Sequence, residues 1–295
     1  MRARGRLLSC LVTIVMALAG FVTAGALPAA AAPSTIPYVA LGDSYAAGTA
    51  AAGSSPNCPH GDGGYPALLD DGAENRIDLT TNAACSGATT SYVVEHELSA
   101  LERDTRLVTL TVGAANLGLS TVLSECTTGT SDRCQAAILL AQGVLGDCAD
   151  DENSLYGSLT DLYAKVAGKA PGARIVVTGY PLLFDPSAAN VFPFTAINDA
   201  TAELNCIIER AVAAANDADV NIHYVDVTEE FATHGIVDPR SCIDPNDPSA
   251  FIHTLCDRAH PDRPDPEAFH PTPAGYQAYA DAISAALPGG WSRST

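Results

Sequence analysis

The chain has 295 residues, 47% of them hydrophobic and 17% charged, with 15 basic residues against 34 acidic ones and a formal net charge of −19. That balance fits a soluble globular protein. It argues against nucleic acid or an anionic membrane surface as a partner, because both are bound through clustered Lys and Arg.

Arg2, Arg4 and Arg6 precede an apolar run from Leu7 to Leu27, and Pro28 and Ala29 to Ala32 follow it. A basic start, an apolar middle and a small-residue end predict a secretory signal peptide over residues 1–32, cut near Ala31 or Ala32. A transmembrane anchor is the competing reading. Gly20, Thr23, Gly25 and the cleavable Ala-rich end weigh against it. Leu8-Ser9-Cys10 is not a lipoprotein site, since Cys10 stands at the start of the apolar run and does not follow it. Removal of the leader leaves about 263 residues and a net charge of −22, from 12 basic against 34 acidic residues. That length suits one large α/β domain over 33–288, with 289–295 as a tail. No later apolar run is long enough to span a membrane. The expectation is a secreted, extracellular monomer.

Without Cys10, eight of the nine cysteines remain: Cys58, Cys85, Cys126, Cys134, Cys148, Cys206, Cys242 and Cys256. An even number in an exported chain predicts disulfides. Metal binding is the weaker reading, as no Cys-x-x-Cys or Cys/His pair has zinc spacing.

Ile36 to Leu41 is apolar and β-branched and reads as a buried strand. It breaks into Gly42-Asp43-Ser44-Tyr45, with Gly48 four residues past the serine. Such a strand end sets Ser44 at the carboxyl edge of a sheet, where open α/β sheets place their ligands. Residues 49–64 read as an irregular loop, Tyr65 to Leu69 as a short helix and Ile77 to Leu79 as a strand leading to Asn82 through Thr90. Arg106 to Val112 is a second clear buried strand and ends in the small-residue turn Gly113-Ala114-Ala115-Asn116-Leu117-Gly118. Cys134 to Val144 and Leu155 to Val166 read as helices, the second stopped by Gly168, Pro171 and Gly172. Arg174 to Thr178 is a strand, Ile197 to Ala215 a helix with an apolar stripe, and Asn221 to Val227 the fifth strand candidate. Residues 235–269, rich in Pro and Asp, form a long loop of a length that is often functional. Thr272 and Pro273 start a last helix whose apolar face carries Tyr276, Tyr279, Ala280, Ile283 and Leu287. Five strands alternating with helices predict a parallel sheet covered on both faces.

A serine nucleophile needs a base and donors for the oxyanion. Of seven histidines, His270 stands out, on a tight turn just before the last helix, with Glu267 three residues upstream to orient it. His60, His96, His223, His234, His253 and His260 have no such setting and read as surface or core histidines.

Gly42-Asp43-Ser44-Tyr45, Cys85-Ser86-Gly87-Ala88-Thr89 and Phe269-His270-Pro271, in this order and at this spacing, resemble the motifs of the GDSL/SGNH hydrolase family, above all its secreted actinomycete lipases and esterases. The likeness runs over about residues 36–287. It implies a three-layer α/β/α sandwich of flavodoxin-like type with a mainly parallel five-stranded sheet. It also implies hydrolysis of acyl esters of small molecules or lipids, with no metal or organic cofactor. Ser44 would be the nucleophile, His270 the base, and the N–H groups of Ser44 and Gly87 oxyanion donors. It further implies bridges Cys58–Cys85 and Cys126–Cys134, and Cys206–Cys256 as a third, leaving Cys148 and Cys242 to pair or stay free.

Two departures matter. The family's third motif reads Gly-x-Asn-Asp, its Asn side chain donating to the oxyanion; aligned without gaps, Ala115 takes the Asn place here and Asn116 the Asp place. Either a one-residue shift lets Asn116 donate, or Asn116 is a cap and one donor is missing. The second departure is Glu267 where the family has Asp, although some secreted relatives orient this histidine with a backbone carbonyl. Asp265 is a further orienting candidate. A carbohydrate acetylesterase of the same fold is the enzymatic alternative, and a secreted binding protein with weakened activity is the alternative of another class. An α/β-hydrolase lipase is rejected because no Gly-x-Ser-x-Gly elbow occurs.

Overall fold

The runs that become the central strands are too uniformly apolar to leave a face in water, so they pair into one sheet with the more polar edge runs beside them. The computed structural model describes residues 35–48, 58, 61–70, 76–127, 130–145, 154–185, 187, 193–262, 264–289 and 291. The signal-peptide reading of residues 1–32, Cys10 and Cys148 all lie outside the described residues. The chain runs β1 (Ile36–Gly42), α1 (Ser44–Ala47), α2 (Tyr65–Asp70), β2 (Ile77–Asn82) and α3 (Thr90–Tyr92). A π-helical turn (Val93–Glu97) and a 3₁₀ turn (Leu98–Ala100) follow. Then come β3 (Leu107–Thr111), a 3₁₀ turn (Ala114–Leu117), α4 (Leu119–Thr127), α5 (Ser131–Leu145) and α6 (Leu155–Lys169). The order closes with β4 (Arg174–Thr178), α7 (Phe194–Asp217), β5 (Ile222–Val225), α8 (Thr228–Phe231) and α9 (Pro273–Ala286).

The sheet is all-parallel in the order β2-β1-β3-β4-β5. The central β1, β3 and β4 are almost wholly buried, whereas the edge strands β2 and β5 expose part of their length. Helices α2 and α9 pack on each other, as do α6 and α7, so two helical layers flank the strands. Within the core, hydroxyls satisfy one another across the strands: Tyr38 with Thr109 at 2.6 Å, Tyr65 with Thr111 at 2.9 Å and Thr111 with Thr178 at 2.6 Å. Among the described residues no helix is long and apolar enough to cross a membrane.

The order 2-1-3 makes β1 a switch point, since the chain leaves it on one side to β2 and returns on the other to β3. Ligands bind at such points, beyond the carboxyl ends of the strands. Gly42 makes this end possible. Its φ is +127°, and a Cβ there would stand 2.0 Å from the carbonyl oxygen of Thr111, so only glycine lets β1 turn against β3.

Helix α4 has no counterpart among the predicted elements, because Ser120, Thr121, Ser124 and Thr127 dilute its helical stripe. Thr272 caps α9 as predicted, accepting from Gly275 N–H with Pro273 in the first turn. Bridges join Cys58 to Cys85 and Cys126 to Cys134. Cys256, however, pairs with Cys242 and not with Cys206. A parallel bridge between Ile243 and Asp257, with Ile243 N–H on Cys256 O and Arg258 N–H on Ile243 O, lays the two segments side by side and leaves their Cα atoms 4.7 Å apart. Cys206 sits in α7 and is disulfide-bonded elsewhere.

Candidate active site

Ser44 opens α1, directly after the Gly42 turn. Asp43 caps this short helix by accepting Tyr45 N–H at 3.1 Å, and Asp43 N–H donates to Thr111 O at 2.8 Å. The nucleophile candidate is therefore tied to the ends of two central strands. From the other end of the domain, the turn before α9 brings His270 to it: Nε2 lies 2.8 Å from Ser44 Oγ. The second ring nitrogen, Nδ1, faces the Glu267 carbonyl oxygen at 3.3 Å. A carbonyl only accepts, so Nδ1 carries the proton and Nε2 is left to accept from the Ser44 hydroxyl. Burial holds the His270 imidazole below the ordinary histidine range; the Glu267 carbonyl opposes this, and nearby His253 adds to it.

Glu267 thus meets His270 through its main chain. Its carboxylate turns to His253 instead, 3.3 Å from Nε2. This corrects the expectation that the Glu267 side chain orients the base. The physical reason is the tight turn: with His270 N–H also on Glu267 O at 2.9 Å, the carbonyl occupies the place beside Nδ1.

Gly87 has φ +81° and lines the same pocket as Ser44 and His270. Its turn is held by Cys85 N–H on Gly42 O at 2.9 Å and by the Cys58–Cys85 bridge. Asn116 does not join them. Its Oδ1 accepts Thr90 N–H and its Nδ2 donates to Thr90 Oγ1, both at 3.0 Å, so its amide caps α3. The pocket wall at this turn is Ala114 and Ala115. Here Ala115 faces the pocket, and the Asn116 amide is spent on a helix end.

The cavity holds about 350 Å³. Leu119 and Leu123 of α4, with Leu255 and Phe269, give it an apolar wall beside the Ser44–His270 pair.

Several contributors were not legible in the motifs. Tyr45 donates its phenol to Phe269 O at 2.7 Å, linking the serine turn to the histidine turn at a residue with φ +69°. Tyr180, after β4, donates to Asp43 Oδ2 at 2.5 Å. Burial pushes the Asp43 carboxyl up to about 7, against the pull of Tyr180 and Tyr45 N–H. Glu97 Oε2 accepts Gly42 N–H at 2.7 Å, and burial pushes that carboxyl up to about 8. His253, buried between Asp265 and Glu267, lies directly behind the His270 turn. The adjacency of Asp43 and Tyr45 to the serine was the available signal; Tyr180, Glu97 and His253 come from segments far away in sequence. Among the described residues no group of His, Cys, Asp and Glu is arranged to hold a metal ion.

Comparison with known proteins places these features in context. A family model described as the GDSL-like Lipase/Acylhydrolase family matches residues 40–278. Lipase 1 of Streptomyces coelicolor is 31% identical over 220 residues, covering 72% of this chain and 79% of that protein. Among solved structures, phospholipase A1 from Streptomyces albidoflavus NA297 is similar with a TM-score of 0.68 at 29% identity, covering 86% of this chain and 100% of that one. The extracellular lipase of Streptomyces rimosus gives a TM-score of 0.65 at 26% identity, with the same coverage.

Proposed function

The chain belongs to the GDSL-like lipase/acylhydrolase family and is a carboxylic ester hydrolase, and from that premise we propose that it is a secreted esterase working through a Ser44–His270 pair. The observation that carries this reading is the 2.8 Å approach of His270 Nε2 to Ser44 Oγ, with Nδ1 on a carbonyl. His270 takes the hydroxyl proton as Ser44 Oγ attacks the ester carbonyl. The Ser44 and Gly87 N–H groups hold the oxyanion; Asn116 does not take part. His270 then passes the proton to the departing alcohol, and water releases the acyl group by the reverse sequence. The Glu267 carbonyl serves the imidazolium as a neutral acceptor in place of a carboxylate. The Leu119, Leu123, Leu255 and Phe269 wall favours an acyl chain longer than acetate, and so an esterase or lipase over a carbohydrate acetylesterase. Bridged cysteines support export, because such bonds persist in oxidising compartments.

The test is hydrolysis of p-nitrophenyl esters from acetate to palmitate, with fluorophosphonate labelling of Ser44. Ser44→Ala and His270→Ala should each cut kcat by roughly 10⁴–10⁶-fold, and Ser44→Ala should abolish labelling. Turnover surviving either change would overturn the assignment.

A further inference from the structure

His270 is oriented by a peptide carbonyl, and a carbonyl on a surface turn is only as well placed as the turn that carries it. The turn here spans Asp265 to His270, at the end of the long loop that follows α8. One buried side chain grips it. His253 Nδ1 lies 2.8 Å from Asp265 Oδ2, and its Nε2 lies 3.3 Å from Glu267 Oε2. The His253 and Asp265 side chains are each only 6% exposed. Its Nδ1 makes a hydrogen bond to Asp265 and its Nε2 a longer ion-pair contact with Glu267; an imidazole carries an N–H at both nitrogens only when it is protonated.

The two carboxylates bracket the carbonyl that matters. Asp265 Oδ1 also accepts Glu267 N–H at 2.8 Å, so residue 267 is held at its amide and at its side chain while its carbonyl faces His270 Nδ1. The His253 main chain completes the grip: its N–H donates to His270 O and its carbonyl accepts Phe269 N–H, both at 2.9 Å. Four contacts thus run from one residue to the turn at positions 265, 267, 269 and 270.

We propose that His253 is a positioning residue, closing a buried clamp on Asp265 and Glu267 that aims the Glu267 carbonyl at the Nδ1 of His270. The clamp supplies through main-chain geometry what a carboxylate bonded directly to the base would supply by itself. The inference rests on the Ser44–His270 reading, and it assigns the Glu267 side chain a role through His253.

The experiment uses the oxidised full-length protein with ¹⁵N-labelled histidine. His270 Nδ1–H, donated to a fixed carbonyl, gives a protected proton signal, identified by its absence from His270→Ala. In His253→Gln this signal should broaden or vanish, and kcat should fall by up to about 10²-fold, the scale of a small misplacement of a catalytic group. KM should stay within about twofold, because no substrate-facing wall is altered. Glu267→Gln keeps the main-chain carbonyl and strips one arm of the clamp of its charge; its effect should be smaller and should vanish in the His253→Gln background. The proposal is overturned if the His270 signal and kcat are both unchanged in His253→Gln, or if the two substitutions act additively. Should His253→Gln not fold, Glu267→Gln alone decides on the same two readouts. Turnover surviving Ser44→Ala would sink the catalytic pair instead, and the proton signal reads the clamp independently of turnover.

Discussion

Glu97 offers a sharp test of how the serine turn is built. It closes the π-helical turn, is 2% exposed, and its Oε2 accepts Gly42 N–H at 2.7 Å. Its Oε1 completes no hydrogen bond among the described residues, although the Cys85 N–H lies close enough to the carboxyl to favour its charged form. A carboxylate so poorly solvated is costly, and burial pushes this carboxyl from 4.5 up to about 8, with Asp43 adding to the rise and Gly42 N–H opposing it. Between those limits the folded chain keeps a proton that the unfolded chain has released. The stabilisation is therefore complete below about 4.5 and lost as pH rises through about 8, at about 1.4 kcal/mol per pH unit.

Glu97→Gln removes the titration and keeps an amide oxygen for Gly42 N–H. From about pH 5.5 to about pH 7.5 the stability of Glu97→Gln relative to the parent should rise by about 3 kcal/mol. Asp43, also raised, pulls the parent in the same direction, and His270, lowered, pulls the other way, but both act alike in the two proteins and largely cancel in the difference. Urea unfolding of both proteins at each pH, with the disulfides oxidised, measures it. A difference that stays flat across the window would refute the claim that Glu97 is folded in its protonated form.

Asn116→Ala should lower stability by about 1–2 kcal/mol, as for a lost helix cap, and leave kcat within twofold; a loss of about 10²-fold would show that the amide reaches the oxyanion after all. Gly42→Ala should destabilise by about 4 kcal/mol or more, since the new Cβ meets main chain at a φ that other residues rarely adopt; an unchanged unfolding midpoint would contradict the packing of β1 on β3. The pH profile of kcat/KM should keep its acid limb below the ordinary histidine range, because burial holds His270 in its base form to lower pH; a limb at or above that range would mean the base is solvated or is another group.

The parallel sheet was legible because its central strands are short apolar runs that end in glycine turns, at Gly42, Gly113 and Gly179. Ser44 and His270 stood out for a related reason: each sits on a tight turn next to a regular element. Helix α4, which walls the cavity, was hidden by its serines and threonines. The Cys242–Cys256 bridge was hidden because its partners meet through an irregular two-segment pairing inside the long loop, which no periodicity announces.

What stayed illegible at the site has one cause. On the proposed mechanism the side chains that a motif would reveal have been replaced by main-chain groups. Ala115 stands where an amide donor would be, so the oxyanion is left to peptide N–H groups of Ser44 and Gly87. The base meets a carbonyl, not a carboxylate. Main-chain donors and acceptors carry no signature in sequence; their usefulness depends on how the backbone is held. Here the holding groups come from afar: Glu97 grips Gly42, the Cys58–Cys85 bridge fixes the Gly87 turn, Tyr45 grips Phe269 and His253 grips residues 265 and 267. Each is a buried polar or covalent contact whose removal leaves a peptide group misdirected rather than absent. Damage to them should therefore lower turnover gradually, in step with lost order, whereas damage to Ser44 or His270 should abolish it.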